Sequence, residues 1–242
     1  MRRSIWLGWD SRERAAFYVA KSSLLRHARG RVNLNVLRLP ELQRDGLYWR
    51  RTETRFGPSG EPVLWDLPSD APMSTMHANA RFLVRHLARD GWALFTDCDV
   101  MFRRDPNDLF DMLDPARALY CVQHQYEPAE TVKMDGQIQT RYARKNWSSV
   151  FALNCDHPAN QALTLEVVNT FPGRDLHRFC WLHDDLIGAL PPEWNYLVGV
   201  NPPIADPAIV HFTLGTPDMK GFEDSEWARE WRQELCGTGA RR

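Results

Sequence analysis

Long apolar runs are missing from this 242-residue chain. Nothing approaches the ~20 consecutive apolar residues of a membrane span, and Met1-Arg2-Arg3-Ser4 leads into a strand-like segment without the roughly 7–15-residue apolar stretch of a signal peptide. The expectation is a soluble, cytoplasmic protein without a transmembrane segment. Paired cysteines are missing as well. Cys98, Cys121, Cys155, Cys180 and Cys236 are odd in number, widely spaced and free of any C-x-x-C, which argues for a reducing compartment and against a disulfide framework or a zinc knuckle. An excess of one charge is also absent, since 30 Lys plus Arg nearly cancel 31 Asp plus Glu. Bulk electrostatics therefore give no reason to expect nucleic acid or an acidic membrane as partner. Lysine is scarce, at Lys21, Lys133, Lys145 and Lys220 only. With no repeat or linker, the length fits one domain over residues 1–236, followed by a frayed tail at 237–242.

What is present centres on residues 92–102, an apolar run that stops at Asp97-Cys98-Asp99 and resumes. A Gly before it and aromatic residues within it mark a buried strand. The carboxyl edge of an open α/β sheet is where ligands bind, and alternate residues of an extended segment point the same way. Two oxygen ligands can thus converge on one hard cation. Taken alone the pattern is weak, because a chain this rich in Asp contains about one Asp-X-Asp by chance.

Upstream, Ile5 to Trp9 reads as the first strand. Asp10 reads as an N-cap with Glu13 completing a capping box, and the helix that follows should bury Ala16, Ala20, Ser23 and Leu24. Gly8 turns the chain onto a helix N-terminus that suits a phosphate as readily as it makes an ordinary βα corner. Val32 to Leu37 supplies a second, parallel strand. Residues 40–72 read as a partly helical excursion near the acceptor side. Met76, Ala80, Leu83, Val84 and Leu87 mark a helix, with Arg81 on the turn able to face Asp97. Further on, 118–122 and 150–154 read as strands, and 127–149 as a mobile hairpin and candidate lid. His183-Asp184-Asp185 opens a helix, 186–190, whose dipole by itself accounts for both Asp residues. The last strand, 208–213, ends near His211, with Lys220 in the glycine-bearing loop beyond, and a Ser225-capped helix closes the chain.

Two carboxylates and an imidazole with open positions suit Mn²⁺ or Mg²⁺ on a diphosphate. The H-E-x-x-H of a zinc protease is absent. Taken in order, Ile5 to Trp9, Arg81, Phe95-Thr96-Asp97-Cys98-Asp99-Val100, Ser149 to Asn154, His183-Asp184-Asp185 and the His211 to Phe222 segment resemble the GT-A nucleotide-sugar glycosyltransferases. Among these they resemble the retaining family 8 group that includes glycogenin and bacterial lipopolysaccharide galactosyl- and glucosyltransferases.

The resemblance implies an α/β, Rossmann-like GT-A domain with a mostly parallel central sheet flanked by helices. It implies a UDP-sugar donor and a divalent metal held by Asp97, Asp99 and His211. It sets Gly8, Trp9, Asp10, Arg81, Asp97, Cys98, Gly215 and Lys220 on the nucleotide side, with Cys98 as a spacer. Asn154, Asp184 and Asp185 would then line the sugar side as catalytic residues. This chain departs from the family pattern in a longer His211-to-Phe222 spacing and in Asp184-Asp185, where the family has Asp-Gln. The implied activity is transfer of a hexose, from UDP-glucose or UDP-galactose, with retention of configuration. Two alternatives share these features: a metal-dependent sugar nucleotidyltransferase, and a non-catalytic nucleotide-sugar or carbohydrate-binding module. The acceptor is left open among a glycan, a protein side chain, a metabolite and a hydroxylated nucleobase, and so is the oligomeric state.

Overall fold

The computed structural model describes residues 1–57, 60–125 and 144–239. Most of the 127–149 hairpin, and residues 240–242 of the expected tail, lie outside the described residues.

The first strand, β1 (Arg3–Gly8), ends two residues before Asp10. As the sequence suggests, the Asp10 carboxylate accepts the Arg12 N–H and caps a 3-10 turn, Ser11–Glu13, that runs into α1 (Arg14–His27). The expected apolar positions Ala16, Ala20, Ser23 and Leu24 are buried. The capping box does not form. The Glu13 carboxylate instead accepts the Cys98 thiol at 3.0 Å, because the 3-10 turn aims it at the sheet edge rather than back along the helix.

β2 (Leu34–Leu37) lies parallel to β1. Residues 40–72 are only briefly helical, in α2 (Leu39–Arg44), and then form an antiparallel meander of β3 (Thr52–Phe56), β4 (Pro62–Asp66) and β5 (Ala71–Pro72). A buried, two-pronged Arg50–Asp66 pair at 2.6 Å anchors it, with Arg50 Nη1 also donating to Val168 O. The helix expected from Met76 is shorter than its apolar spacing implies. It comprises a 3-10 turn, Ala80–Leu83, and α3 (Val84–Ala88).

The apolar run becomes two strands, β6 (Trp92–Thr96) and β7 (Val100–Phe102), in two different sheets. Every residue of β6 is buried. Ala93 and Phe95 join one core cluster while Trp92 and Leu94 join the other, which is the period-two alternation of a strand covered on both faces. After α4 (Pro106–Asp111) come β8 (Leu119–Cys121), β9 (Val150–Asn154), α5 (Leu165–Thr170), α6 (Gly173–His177) and β10 (Ile187–Ala189).

The central sheet has the order β10-β8-β9-β6-β1-β2. All its neighbours pair parallel except β9, which runs antiparallel to both β6 and β8. This is the mostly parallel α/β sheet that the resemblance implies, with one strand, β9, reversed.

The helix expected at 186–190 is in fact strand β10. Asp184–Leu186 forms a single 3-10 turn, and Pro191 and Pro192 follow too soon for a helix to complete its hydrogen bonds. The open edge of β8 takes the segment instead. A smaller sheet, β11 (Tyr196–Leu197), β12 (Ile209–His211) and β7, packs against α1 and α7 (Ala228–Gly237). Ser23 Oγ accepts the Phe102 N–H at 3.0 Å and so ties β7 to α1. Ser225 does not cap α7. The helix starts three residues later, after Trp227 in the left-handed region, and Ser225 Oγ has no partner among the described residues. Among the described residues no helix is long and apolar enough to cross a membrane.

Candidate active site

Asp97 extends the β6 ladder by one step, its N–H donating to Ser149 O at 2.9 Å. The chain then leaves the large sheet and enters the small one at Val100, so Asp97-Cys98-Asp99 is the crossing between them. Cys98 drops into the core, and burial, then the Glu13 carboxylate, push its thiol well above the ordinary range. It carries no exposed group for a nucleotide.

His211, the last residue of β12, sits opposite Val100, and Phe212 N–H donates to Asp99 O. One ligand atom each from Asp97, Asp99 and His211 lie within 4.8 Å of one another. Burial pushes the Asp97 carboxyl up, but Arg81, with His77 and His211, outweighs it and holds the group well below the usual carboxylate range. Arg81 is buried and forks onto both oxygens, Nη2 to Oδ1 at 2.8 Å and Nη1 to Oδ2 at 3.1 Å, while Nη1 also reaches Ser148 O. His77 Nε2 adds a third contact to Oδ1 at 3.0 Å.

A carboxylate has about four lone-pair positions, so Asp97 keeps one for a cation. His211 Nε2 lies 3.1 Å from Asp99 Oδ1. Burial pushes His211 down, yet Asp99 more than offsets it and the net shift is upward. The donor set of two carboxylates and one imidazole, with one atom from each drawn together, fits Mn²⁺ or Mg²⁺.

Sequence reasoning missed His77. Its signal was available, because it lies four residues before Arg81 and the two are joined by an Arg81 N–H to His77 O bond. Gly8 belongs to the same arrangement. A Cβ there would come within 2.7 Å of the His77 ring, so this glycine makes room for the ring that braces Asp97. Asp10 has a structural part. It is fully buried, and its oxygens accept from Arg12 and from Met76 N–H, fixing the segment that delivers His77. The Trp9 ring packs edge-on against Phe17, with the Arg38 guanidinium 4.4 Å above it. Gly215 and Lys220 ride on the loop leaving β12. Gly215 lies flat against the Phe222 ring and Lys220 is exposed.

Asn154, Asp184 and Asp185 are not brought to this edge. Asn154 pairs with Trp92 at the opposite end of β6, because β9 is antiparallel and its carboxyl end points the other way. Four residues of strand, roughly 13 Å, separate that level from Thr96. Its side chain is spent on Pro115 O and Arg117 O. Asp185 O takes a hydrogen bond from Arg117 at that same far edge, and the exposed Asp184 pairs with Arg144. The residues that do border Asp97 from the 3-10 turn before β9 (Trp147–Ser149) and from α6 are Ser148, Ser149 and His177, with Ser148 Oγ and His177 Nδ1 2.6 Å apart.

Two histidines here are held neutral. His124 falls to about 4 through burial and then His211. His177 falls to about 3 through burial and then Arg81. Below the free value of 6.5 the unfolded chain takes up these protons and the folded chain does not, so both erode stability as pH drops from about 6.5 toward 4, while His211 acts in the opposite sense. The melting temperature of His177→Gln should therefore fall less steeply than that of wild type between pH 6.5 and 4. Parallel slopes in a pH series of melting curves would contradict a neutral buried His177.

No family model matches the chain. Protein CDI of Arabidopsis thaliana is 40% identical over 237 residues, which cover 96% of this chain and 85% of that protein. The chain belongs to the Protein CDI family. For the fold of this CDI-family chain, solved structures agree. The bifunctional glycosyltransferase WbbM superposes with a TM-score of 0.62 at 13% identity, over 96% of this chain and 49% of that one. GlyE of Streptococcus pneumoniae gives 0.58 at 14%, over 97% and 60%. The galactosyltransferase LgtC, in complex with donor and acceptor sugar analogs, gives 0.58 at 12%, over 100% and 98%. The chain thus spans about half of WbbM and nearly all of LgtC. At such identities the likeness is one of fold, and the fold is that of the GT-A glycosyltransferases.

Proposed function

We propose that residues 1–236 form one metal-dependent glycosyltransferase domain that moves a hexose from a UDP-sugar to an acceptor hydroxyl with retention, working in the cytoplasm. One observation carries this reading: Asp97, Asp99 and His211 converge at the carboxyl edge of a GT-A sheet. Bound there, Mn²⁺ or Mg²⁺ supplies Lewis-acid neutralisation of the diphosphate leaving group.

The chain's own residues do the rest. Arg81 and His77 fix the Asp97 carboxylate so that it need not reorganise as negative charge builds on the diphosphate. Lys220, on its loop, adds a cation when that loop closes over the donor and excludes water. Asn154 and the Asp185 backbone lie toward the other end of the strands, and the retaining route proposed here needs no carboxylate base, because an oxygen of the departing diphosphate takes the acceptor's proton.

The test is a thermal-shift and turnover series with UDP, UDP-glucose and UDP-galactose, each with and without Mn²⁺. Stabilisation by UDP only with metal, and metal-dependent release of UDP from one UDP-sugar, are the expected results. No response to any nucleoside diphosphate would sink the reading. Pyrophosphate release from a nucleoside triphosphate and a sugar phosphate would replace it with nucleotidyl transfer.

A further inference from the structure

Asn195 ends the 3-10 turn Pro192–Asn195 just before β11, is fully buried, and lies behind the metal-facing side chains rather than among them. Its contacts fix which way its amide points. Ser149 Oγ donates its proton to Asn146 O at 2.8 Å, so it can only accept from Asn195 Nδ2, which lies 2.9 Å away. The second Nδ2 proton points to His124 Nε2 at 3.0 Å. With both amide protons committed, the oxygen faces His211 Nδ1 at 2.8 Å, and that nitrogen must carry the ring proton. A neutral His211 then presents a bare Nε2 lone pair to Asp99 Oδ1 across 3.1 Å. Two acceptors face each other, an arrangement that is satisfied by a proton or a cation between them.

We propose that Asn195 is a positioning residue that locks His211 in the Nδ1–H tautomer and so aims its Nε2 lone pair at a divalent cation shared with Asp97 and Asp99. The proposal rests on the metal-dependent reading above. Ser149 and His124 hold the amide in turn, so the orientation of one metal ligand is set from the first residues past β8 and from the turn just before β9. Outer partners of this kind set ring orientation and ligand basicity.

The experiment is a Mn²⁺ titration of the full chain with UDP present, reading free Mn²⁺ by electron paramagnetic resonance. Asn195→Ala should weaken Mn²⁺ binding roughly 10- to 100-fold. Asn195→Asp, which keeps an acceptor oxygen opposite Nδ1, should recover most of that loss. A second measurement needs no variant: long-range ¹H–¹⁵N spectra of the wild-type Mg²⁺–UDP complex should show the His211 proton on Nδ1. Wild type that binds no Mn²⁺ with UDP overturns the metal reading itself. Wild type that binds while Asn195→Ala binds equally well, or a His211 proton found on Nε2, overturns the tautomer lock and leaves the metal reading standing.

Discussion

Asp99→Asn should abolish the metal-dependent part of the UDP thermal shift and cut sugar transfer by at least about 10³-fold, while the melting temperature without ligand stays near that of wild type. The loss is expected to be large because the carboxylate does two things. On the proposed reading it supplies an anionic oxygen to the cation, and it stands 3.1 Å from His211 Nε2. An amide in its place offers a neutral oxygen or, if turned round, an N–H that caps the imidazole lone pair. The fold should survive, since the backbone role of Asp99, accepting the Phe212 N–H, does not involve the side chain. Parallel melting curves and a radiolabelled-transfer assay separate the two effects. A variant that keeps the Mn²⁺-dependent shift would exclude Asp99 as a ligand.

Arg81→Met should be the most destabilising single change at this edge, by about 3–5 kcal/mol, because it leaves a largely buried carboxylate with its main counter-charge gone. For a chain of this size that corresponds to a fall in melting temperature of roughly 6–20 °C. Asp97 is depressed in the folded state, so its contribution is complete above the free carboxylate value of 3.8 and is lost as pH falls through and below it. The gap between wild type and Arg81→Met should accordingly narrow in acid. The double variant Arg81→Met/Asp97→Asn should recover much of the loss, since removing both charges avoids stranding one. Denaturant melts of the four proteins at neutral pH and near pH 3.5 measure all of this. A double variant no more stable than Arg81→Met would mean that the arginine acts by packing over Phe95, where its guanidinium carbon lies 4.9 Å from the ring centroid.

The convergence of Asp97, Asp99 and Arg81 was legible in the sequence because these residues stand at the ends of elements whose direction the pattern reveals. β1 and β6 are parallel neighbours, so the residues following β6 fall on the expected edge. Asp97, Asp99 and Arg81 then meet as their chemistry suggests. Asn154 was misplaced for a reason that apolar content cannot reveal: Val150 to Asn154 has the same composition whichever way it runs, and tertiary pairing sends it antiparallel. Asp184 and Asp185 failed similarly. The five residues between Asp185 and the proline pair are too few to carry a periodicity, and β8 decides their conformation. The Asn195 network was hidden because its members come from four separate segments and no local spacing links them.

Asp97 closes the ladder of the large sheet, whereas Asp99 leads into, and His211 ends, strands of the small one. A cation held by all three would therefore be a cross-link between two sheets that are already joined in this region by two residues of chain and by the Asn195 hydrogen bonds to Ser149, His124 and His211. On the proposed reading, cation binding and the docking of the small sheet would share a coupling free energy, so a change that loosens β12 against β6 would weaken cation binding by up to that coupling.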